Sequence, residues 1–363
     1  MKIERRALLI LEYAAANASR VLFATAMLCG LSACASVKPI PENYQAPEPL
    51  PQEYLAGFCY QPSPIHEDLK LIKEKRKYRI YEGSFAAGLD DAGDDSPITF
   101  EYYQQPGDTV SPVVLLLPIL NGTKHLMRPF ATLFAKKGYA VIIVDTVQRT
   151  TLLDDLQDPE PSIRQVAQRH RRVIDWVESR PELDVSRLGV FGASLGGFNA
   201  LYLSALDDRV SVASFALVGG SLSEVLVNSD ERRIAEAVTQ VKAELSLDDE
   251  QLMAYLDERI LTDTLTIAPH VNADRILMVL AKRDKSVPYS SQLELYEAMG
   301  RPESITLPTG HASTAAYIFY LRSRILRFFD RKLAESSSAG TAIVSPQGCD
   351  EISATIDALG IAY

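Results

Sequence analysis

Between residues 75 and 334, short continuous apolar runs alternate with stretches in which apolar residues recur every three to four positions. Runs of the first kind suit strands buried on both faces, and the second suit helices laid across them. The alternation therefore predicts parallel strands joined by crossover helices. The strand candidates are VVLLLP (113–118), AVIIVD (140–145), RLGVFG (187–192), VSVASFALV (210–218), RILMVLA (275–281) and ESITLP (303–308). Ahead of them KYRIYEGSF and ITFEYYQQP alternate apolar and polar residues across the loop AAGLDDAGDDSP, which predicts two opening antiparallel strands. In PSIRQVAQRHRRVIDWVESRP, the residues Ile163, Val166, Ala167, His170, Val173, Ile174 and Val177 fall on one helical face. That stripe reads His170 as part of a packed surface.

Residues 221–270 are too long for a plain connection. They contain DERRIAEAVTQVKAELS and SLDDEQLMAYLDERI, with Ser246 and Asp249 suited to a helix start, and predict a helical cap inserted into the domain. Its apolar positions, including Leu226, Ile234, Ala237, Leu252 and Leu256, suit either an apolar pocket wall or packing onto the sheet, mostly the latter. The ends differ from this core. Residues 34–64 hold seven prolines and no regular period, and predict an extended tether. Residues 336–363 read as an irregular C-terminal tail whose last segment, ISATIDALGIAY, suits a short helix.

The N-terminus opens with Lys2, Arg5, Arg6 and Arg20 before the apolar run VLFATAMLCGL. Eleven residues fall short of the roughly 20 that a membrane-spanning helix needs, and predict a secretory signal over residues 1–33; the alternative is a buried N-terminal helix. LSAC, Leu31 to Cys34, resembles the bacterial lipobox. The resemblance implies that Cys34 is acylated and becomes the new N-terminus, holding the fold to a membrane outside the cytoplasm. Ala35 and Ser36 in place of aspartate imply the outer membrane.

Over 363 residues the composition is 47% hydrophobic and 23% charged, that of a globular chain able to bury a large core. Removing the signal takes away four basic and two acidic residues, leaving 33 against 45 and a net charge of −12. That balance disfavours nucleic acid and anionic surfaces as partners. Of the four cysteines the mature chain keeps Cys59 and Cys349 besides the proposed lipid site. In an oxidising envelope compartment the pair is expected to form one disulfide between the N-terminal extension and the C-terminal tail, the alternative being two unpaired thiols.

The chemistry centres on VFGASLGGFNA (190–200), where Ser194 stands between Gly192 and Gly196, after a buried strand and before a helix-forming stretch. A serine on such a turn is held in a strained conformation, and neighbours two residues away on either side must be small. The hydroxyl needs a base, itself oriented by an acid. Of five histidines, His66 lies beside the tether, His125 follows the LPILNG loop, and His311 follows the last candidate strand in LPTGHAST. His311 is the expected base, with His270 at the end of the cap as the alternative. The expected acid is Asp284, which follows the strand ILMVLA in the loop RDKSVP; Asp145, ending another strand, is the alternative.

The chain order Ser194, Asp284, His311 and the motifs GASLGG, RDKSVP and GHAS resemble the α/β-hydrolase superfamily, nearest its dienelactone-hydrolase and prolyl-oligopeptidase-like branches. The resemblance implies a hydrolase domain over residues 65–335, built on a mostly parallel eight-stranded sheet with helices on both faces and the cap at 221–270. It further implies oxyanion donors at the backbone N–H of Leu195 and of Ile119 or Leu120, because Pro118 has no N–H. The expectation is a membrane-anchored extracytoplasmic serine hydrolase acting on carboxylic esters of a small-molecule or lipid-like acyl group, with no metal or cofactor required. A peptidase, an acyltransferase and a non-catalytic envelope protein of the same fold are the alternatives.

Overall fold

The computed structural model describes residues 35–61, 63–89, 96–107, 110–120, 124–145 and 155–339. Its strands are β1 (Ser36–Lys38), β2 (Asp68–Glu74), β3 (Arg79–Ala86), β4 (Pro97–Gln104), β5 (Ser111–Leu117), β6 (Ala140–Val144), β7 (Leu183–Ala193), β8 (Val210–Ala216), β9 (Ile276–Ala281) and β10 (Glu303–Leu307). They form one ten-stranded sheet in the order β1-β10-β9-β8-β7-β5-β6-β4-β3-β2. From β10 to β6 every pairing is parallel. The β6-β4, β4-β3 and β3-β2 pairs and the outlying β1-β10 pair are antiparallel.

The eight expected strands are all present, and two more extend the sheet. Both additions lacked an interior signal. β1 is three exposed residues, and in β2 a register shift between Leu71 and Lys73 leaves Leu71 and Ile72 adjacent and each 48% exposed.

Helices follow as α1 (Gln52–Ala56), α2 (Lys124–Lys136), α3 (Glu160–Glu178), α4 (Leu195–Leu206), α5 (Leu222–Asn228), α6 (Arg232–Leu245), α7 (Asp249–Asp257), α8 (Thr264–Ile267), α9 (Tyr289–Ala298) and α10 (Ile318–Ala339). The sheet divides the interior into two apolar layers. On the side of α3 and α4, Trp176 packs its ring 4.7 Å from Phe100 and 5.2 Å from Tyr102. On the side of α2 and α10, Phe134 meets Phe329 at 5.5 Å and Phe130 meets Phe191 at 4.6 Å. Apolar cover on both faces is why the central strands read as unbroken apolar runs.

Helices α5 to α8 lie between β8 and β9, where the insertion was expected. Their boundaries differ in one respect. Asp248, not Ser246 or Asp249, starts α7: its side chain accepts from the Gln251 N–H while the Gln251 side chain accepts from the Asp248 N–H. Ser246 instead ends α6 in a left-handed conformation.

The proline-rich segment is laid on the domain over its described residues rather than held as a free tether. β1 extends the sheet, Tyr44 accepts from the Ala273 N–H at 2.8 Å, and Leu50 and Phe58 are buried. Buried arginines of α3 fasten the stretch from Phe58 to Ser63: Arg171 donates to the Phe58 carbonyl at 2.9 Å and Arg172 to the Ser63 carbonyl at 2.6 Å. Proline removes backbone donors but leaves carbonyls, so such a segment can still be held by side-chain donors. At the other end α10 continues to Ala339, past the expected start of the tail at 336. The expected signal, Cys34, Cys349 and ISATIDALGIAY lie outside the described residues. Among the described residues no helix is long and apolar enough to cross a membrane.

Candidate active site

Strand β7 delivers its chain directly into Ser194, which sits at φ 52° and ψ −126° before α4 begins. This is a conformation that a side-chain-bearing residue holds only when its surroundings impose it. Here the Ser194 N–H donates to Ala216 O on β8 at 2.8 Å, and Gly197 and Phe198 donate to Ser194 O at 2.7 and 3.0 Å. The glycines make the turn possible by close approach. A Cβ on Gly192 would run into the Gly196 carbonyl, and one on Gly196 into the carbonyls of Leu117 and Pro118. One on Gly197 would strike Val218, so its absence lets α4 settle onto the sheet.

Asp284 follows the end of β9 and His311 the end of β10, so both loops open at the same carboxyl edge of the sheet as Ser194. There His311 Nε2 lies 3.0 Å from Ser194 Oγ and its Nδ1 lies 2.8 Å from Asp284 Oδ2. The Asp284 side chain is fully buried. Its Oδ1 accepts from the N–H groups of Ser286 and Val287 at 3.0 Å each, and Oδ2 accepts from Gln292 Nε2 at 3.2 Å. With its lone pairs so occupied, the carboxylate has one orientation, and it presents Oδ2 to the imidazole.

The alternatives sit elsewhere. Asp145 accepts from Thr99 Oγ1 at 2.7 Å and pairs with Lys124 at 2.8 Å, and His270 Nδ1 lies 3.1 Å from the Glu48 carbonyl. His66 is exposed, and His125 is exposed beside Arg128.

A cavity of about 130 Å³ opens at Ser194 and His311 and runs between α3, α4 and the inserted helices. Its walls are largely apolar, with Ile163, Phe198, Val225, Leu226 and Ile234 among them. Of the inserted apolar residues, Leu226 and Ile234 face the cavity, whereas Leu252 and Leu256 are fully buried in the core and Ala237 packs against it. Leu195 and Leu120 also line the cavity; Ile119 is not among its described lining residues. Among the described residues no group of three or more His, Cys, Asp or Glu side chains is arranged to hold a metal ion.

Sequence reasoning missed two residues. Nothing in a helix marks Gln292 as the partner of a distant aspartate. His170 was placed correctly on a packed helical face, but that face is also a wall of the cavity. Burial and the charge of Arg169 push its imidazole down to about 4, against a weak opposing pull from the Val166 carbonyl, so it is neutral at neutral pH.

Residues 101–302 match the Dienelactone hydrolase family. Acetyl xylan esterase 1 from Thermoanaerobacterium sp. JW/SL YS485 superposes with a TM-score of 0.61 at 16% identity, over 80% of this chain and 99% of that one. The acetyl xylan esterase from Paenibacillus sp. R4 gives 0.58 at 20% identity, over 77% and 92%. The acylaminoacyl peptidase of Pyrococcus horikoshii gives 0.52 at 16% identity, over 72% of this chain and 42% of that one. At these identities the likeness is one of fold. In sequence, an uncharacterized 31.7 kDa Escherichia coli protein of the traX-finO intergenic region is 28% identical over 134 residues. That match spans 34% of this chain and 43% of its relative, less than half that protein's length. The chain has the α/β-hydrolase fold and belongs to the dienelactone hydrolase family.

Proposed function

We propose that this protein hydrolyses carboxylic esters through an acyl-enzyme, with Ser194 as nucleophile, His311 as general base and acid, and Asp284 as the group that orients and stabilises the imidazole. The observation that carries the proposal is the one imidazole lying within hydrogen-bond distance of both Ser194 Oγ and Asp284 Oδ2. Asp284 holds the proton on Nδ1, leaving Nε2 free to accept from the serine hydroxyl. As Oγ bonds to the acyl carbon, His311 takes its proton. The tetrahedral intermediate then collapses, the ester C–O bond breaks, and the alcohol leaves with that proton. Water, deprotonated by the same nitrogen, releases the acid and restores Ser194.

The oxyanion donors are assigned to the Leu195 and Leu120 N–H groups; the place of both residues on the cavity wall supports the pair. The dienelactone hydrolase family match supports an ester substrate, and the acylaminoacyl peptidase of like fold is the reason amides stay in the test. The test is labelling by a fluorophosphonate probe, followed by a panel of p-nitrophenyl esters beside peptide amides. Labelling lost in Ser194→Ala, with esters preferred, is the expected result. A well-folded wild type that takes no label overturns the proposal.

The proposal extends to location: a lipid on Cys34 anchors the protein at the outer membrane, and a Cys59–Cys349 bridge joins its two extensions. Support comes from the order of basic residues, apolar run and LSAC, and from there being two cysteines besides Cys34 left in the mature chain. Unchanged mass and membrane fractionation of Cys34→Ala would refute the anchor. Alkylation of both thiols without reductant would refute the bridge.

A further inference from the structure

β1 runs antiparallel to β10 with Ser36 opposite Thr306, so the chain before Ser36 leaves the sheet at its carboxyl edge. Asp284 and His311 stand in loops on that same edge, and the His311 loop follows β10, the strand beside β1. The segment after His311 has an inverted surface pattern. A 3₁₀ helix, Ala312–Tyr317, leads into α10; Thr314, Tyr317, Tyr320 and Leu321 are buried, while Ala312, Ala315, Ala316 and Phe319 are exposed. The exposed set recurs at helical spacing and so shares one face. Farther along α10 the exposed positions turn polar, with Ser323, Arg327, Asp330 and Arg331. Phe319 is 55% exposed, and the Arg322 guanidinium lies 4.5 Å from its ring centroid. A grouped apolar face left in water marks an interaction surface.

The loop of the proposed acid adds charge to this edge. Lys282, Arg283 and Lys285 are exposed, whereas Asp284 between them is turned inward to His311. This loop abuts that of His311: the Lys282 N–H donates to the Leu307 carbonyl at 2.9 Å and the Arg283 N–H to the Thr309 carbonyl at 2.8 Å. From the cap, Asp230 is the carboxylate joined to the same loop, where it accepts from Ser286. A net charge of −12 disfavours anionic partners for the chain as a whole. Charges beyond roughly 8 Å are screened at physiological salt, however, so a contact responds to the local set. Cations beside an exposed aromatic ring suit the boundary of a bilayer, where phosphates meet the first methylenes. An acidic polymer would use the cations and leave Phe319 in water, and a second copy set face to face would oppose like charges.

We propose that this face docks on an anionic phospholipid bilayer and brings the Ser194 mouth against it, so that the substrates are esters borne by membrane lipids rather than dissolved ones. The proposal rests on the ester-hydrolase reading above. The exit of the chain toward Cys34 at the same edge supports it, and the largely apolar cavity suits an acyl chain. The bond changes are those already given, the departing alcohol being the remainder of the lipid.

The experiment uses the full chain carrying Phe319→Trp. The native tryptophan, Trp176, is fully buried, so a lipid-dependent change in emission reports position 319. The chain is mixed with vesicles of phosphatidylcholine alone or of phosphatidylcholine with equimolar phosphatidylglycerol, each with and without brominated lipid. A blue shift and bromine quenching are expected on the anionic vesicles. Lys282→Gln, Arg283→Gln and Lys285→Gln together should weaken that binding about tenfold or more, since each cation near such a surface strengthens it roughly fivefold. A second measurement reads turnover of a fluorogenic lipid ester in those vesicles against that of dissolved p-nitrophenyl acetate. Phe319→Asp is expected to lower the ratio of the first to the second about tenfold. Denaturant midpoints check that each variant is folded. No quenching on anionic vesicles, undiminished binding without the three cations, or an unchanged ratio in Phe319→Asp would each overturn the proposal and leave the hydrolase reading standing. So would an emission shift driven by protein concentration in place of lipid, which assigns the face to a second copy. Absence of Ser194-dependent fluorophosphonate labelling would overturn both.

Discussion

Gln292 donates to Asp284 Oδ2 at 3.2 Å and to the Val287 carbonyl at 2.8 Å, while its own carbonyl accepts from the Ala281 N–H at 3.0 Å. One fully buried carboxamide thus ties the end of β9, the proposed acid and the loop behind it into a single unit. Replacing it with leucine leaves the shape but removes every tie. Gln292→Leu is expected to lower kcat roughly tenfold with KM little changed, the loss of one hydrogen bond to a charged group. Gln292→Glu replaces both donated bonds by a second carboxylate beside Asp284 and is expected to lower kcat further than leucine does. Steady-state kinetics reads both changes. A Gln292→Leu enzyme with wild-type kcat would show that the two backbone N–H donors alone hold Asp284.

The turn at Ser194 predicts a steep penalty for the smallest possible addition. In Gly196→Ala the new methyl meets the carbonyls of Leu117 and Pro118, which are backbone and cannot swing aside. Overpacking of this kind is expected to cost about 3 kcal/mol or more, read as a shift in the denaturant midpoint, together with loss of fluorophosphonate labelling. A stable, reactive Gly196→Ala protein would mean that the elbow can open.

His170 predicts a pH dependence of stability separate from that of catalysis. Its folded-state value, about 4, lies below the ordinary 6.5, so between these limits the unfolded chain binds the extra proton. Stability is therefore complete above pH 6.5 and declines as pH falls toward 4, by about 3 kcal/mol over the window. His170→Leu should flatten that slope in urea titrations at fixed pH. An unchanged slope would assign the acid sensitivity to other groups.

A second stability prediction concerns Arg171 and Arg209, which share Asp207. Burial alone would raise Asp207, but hydrogen bonds from Arg209 and the charges of Arg209 and Arg171 outweigh it and hold the carboxyl below its usual value. The stabilisation is present above about pH 3.8, the unfolded value, and is lost as pH falls through the depressed one. Asp207→Asn is expected to cost about 3–5 kcal/mol at neutral pH, since it leaves two buried guanidinium groups short of a carboxylate. A loss below 1 kcal/mol would show that Asp175 and Glu178 suffice for Arg209.

The parts of the fold that were legible are those where one physical cause dominates. β5, β6 and β9 lie under helices on both faces, so their burial left continuous apolar runs. Ser194, Asp284 and His311 could be singled out because each follows such a run, and strand ends share one edge of the sheet. β2 was illegible because its register shift breaks the alternation that marks a half-buried strand. The segment around Phe58 was misread because its prolines were weighed above Leu50, Phe58 and Tyr60, whose rings and chains had to be buried somewhere. Gln292 left no trace, since its role depends on a partner eight residues away across a loop.

The short strand Ser36–Lys38 carries a mechanical consequence. Only one residue separates Cys34 from Ser36, so a chain anchored at Cys34 has at most roughly 7 Å of slack before it enters the sheet. With lipid at that cysteine, the enzyme would not sweep a volume above the bilayer as a body on a leash does. It would instead pivot close to the surface about the β1 edge of its sheet, so that the reach of the mouth at Ser194 is set by the size of the domain and not by the length of a tether.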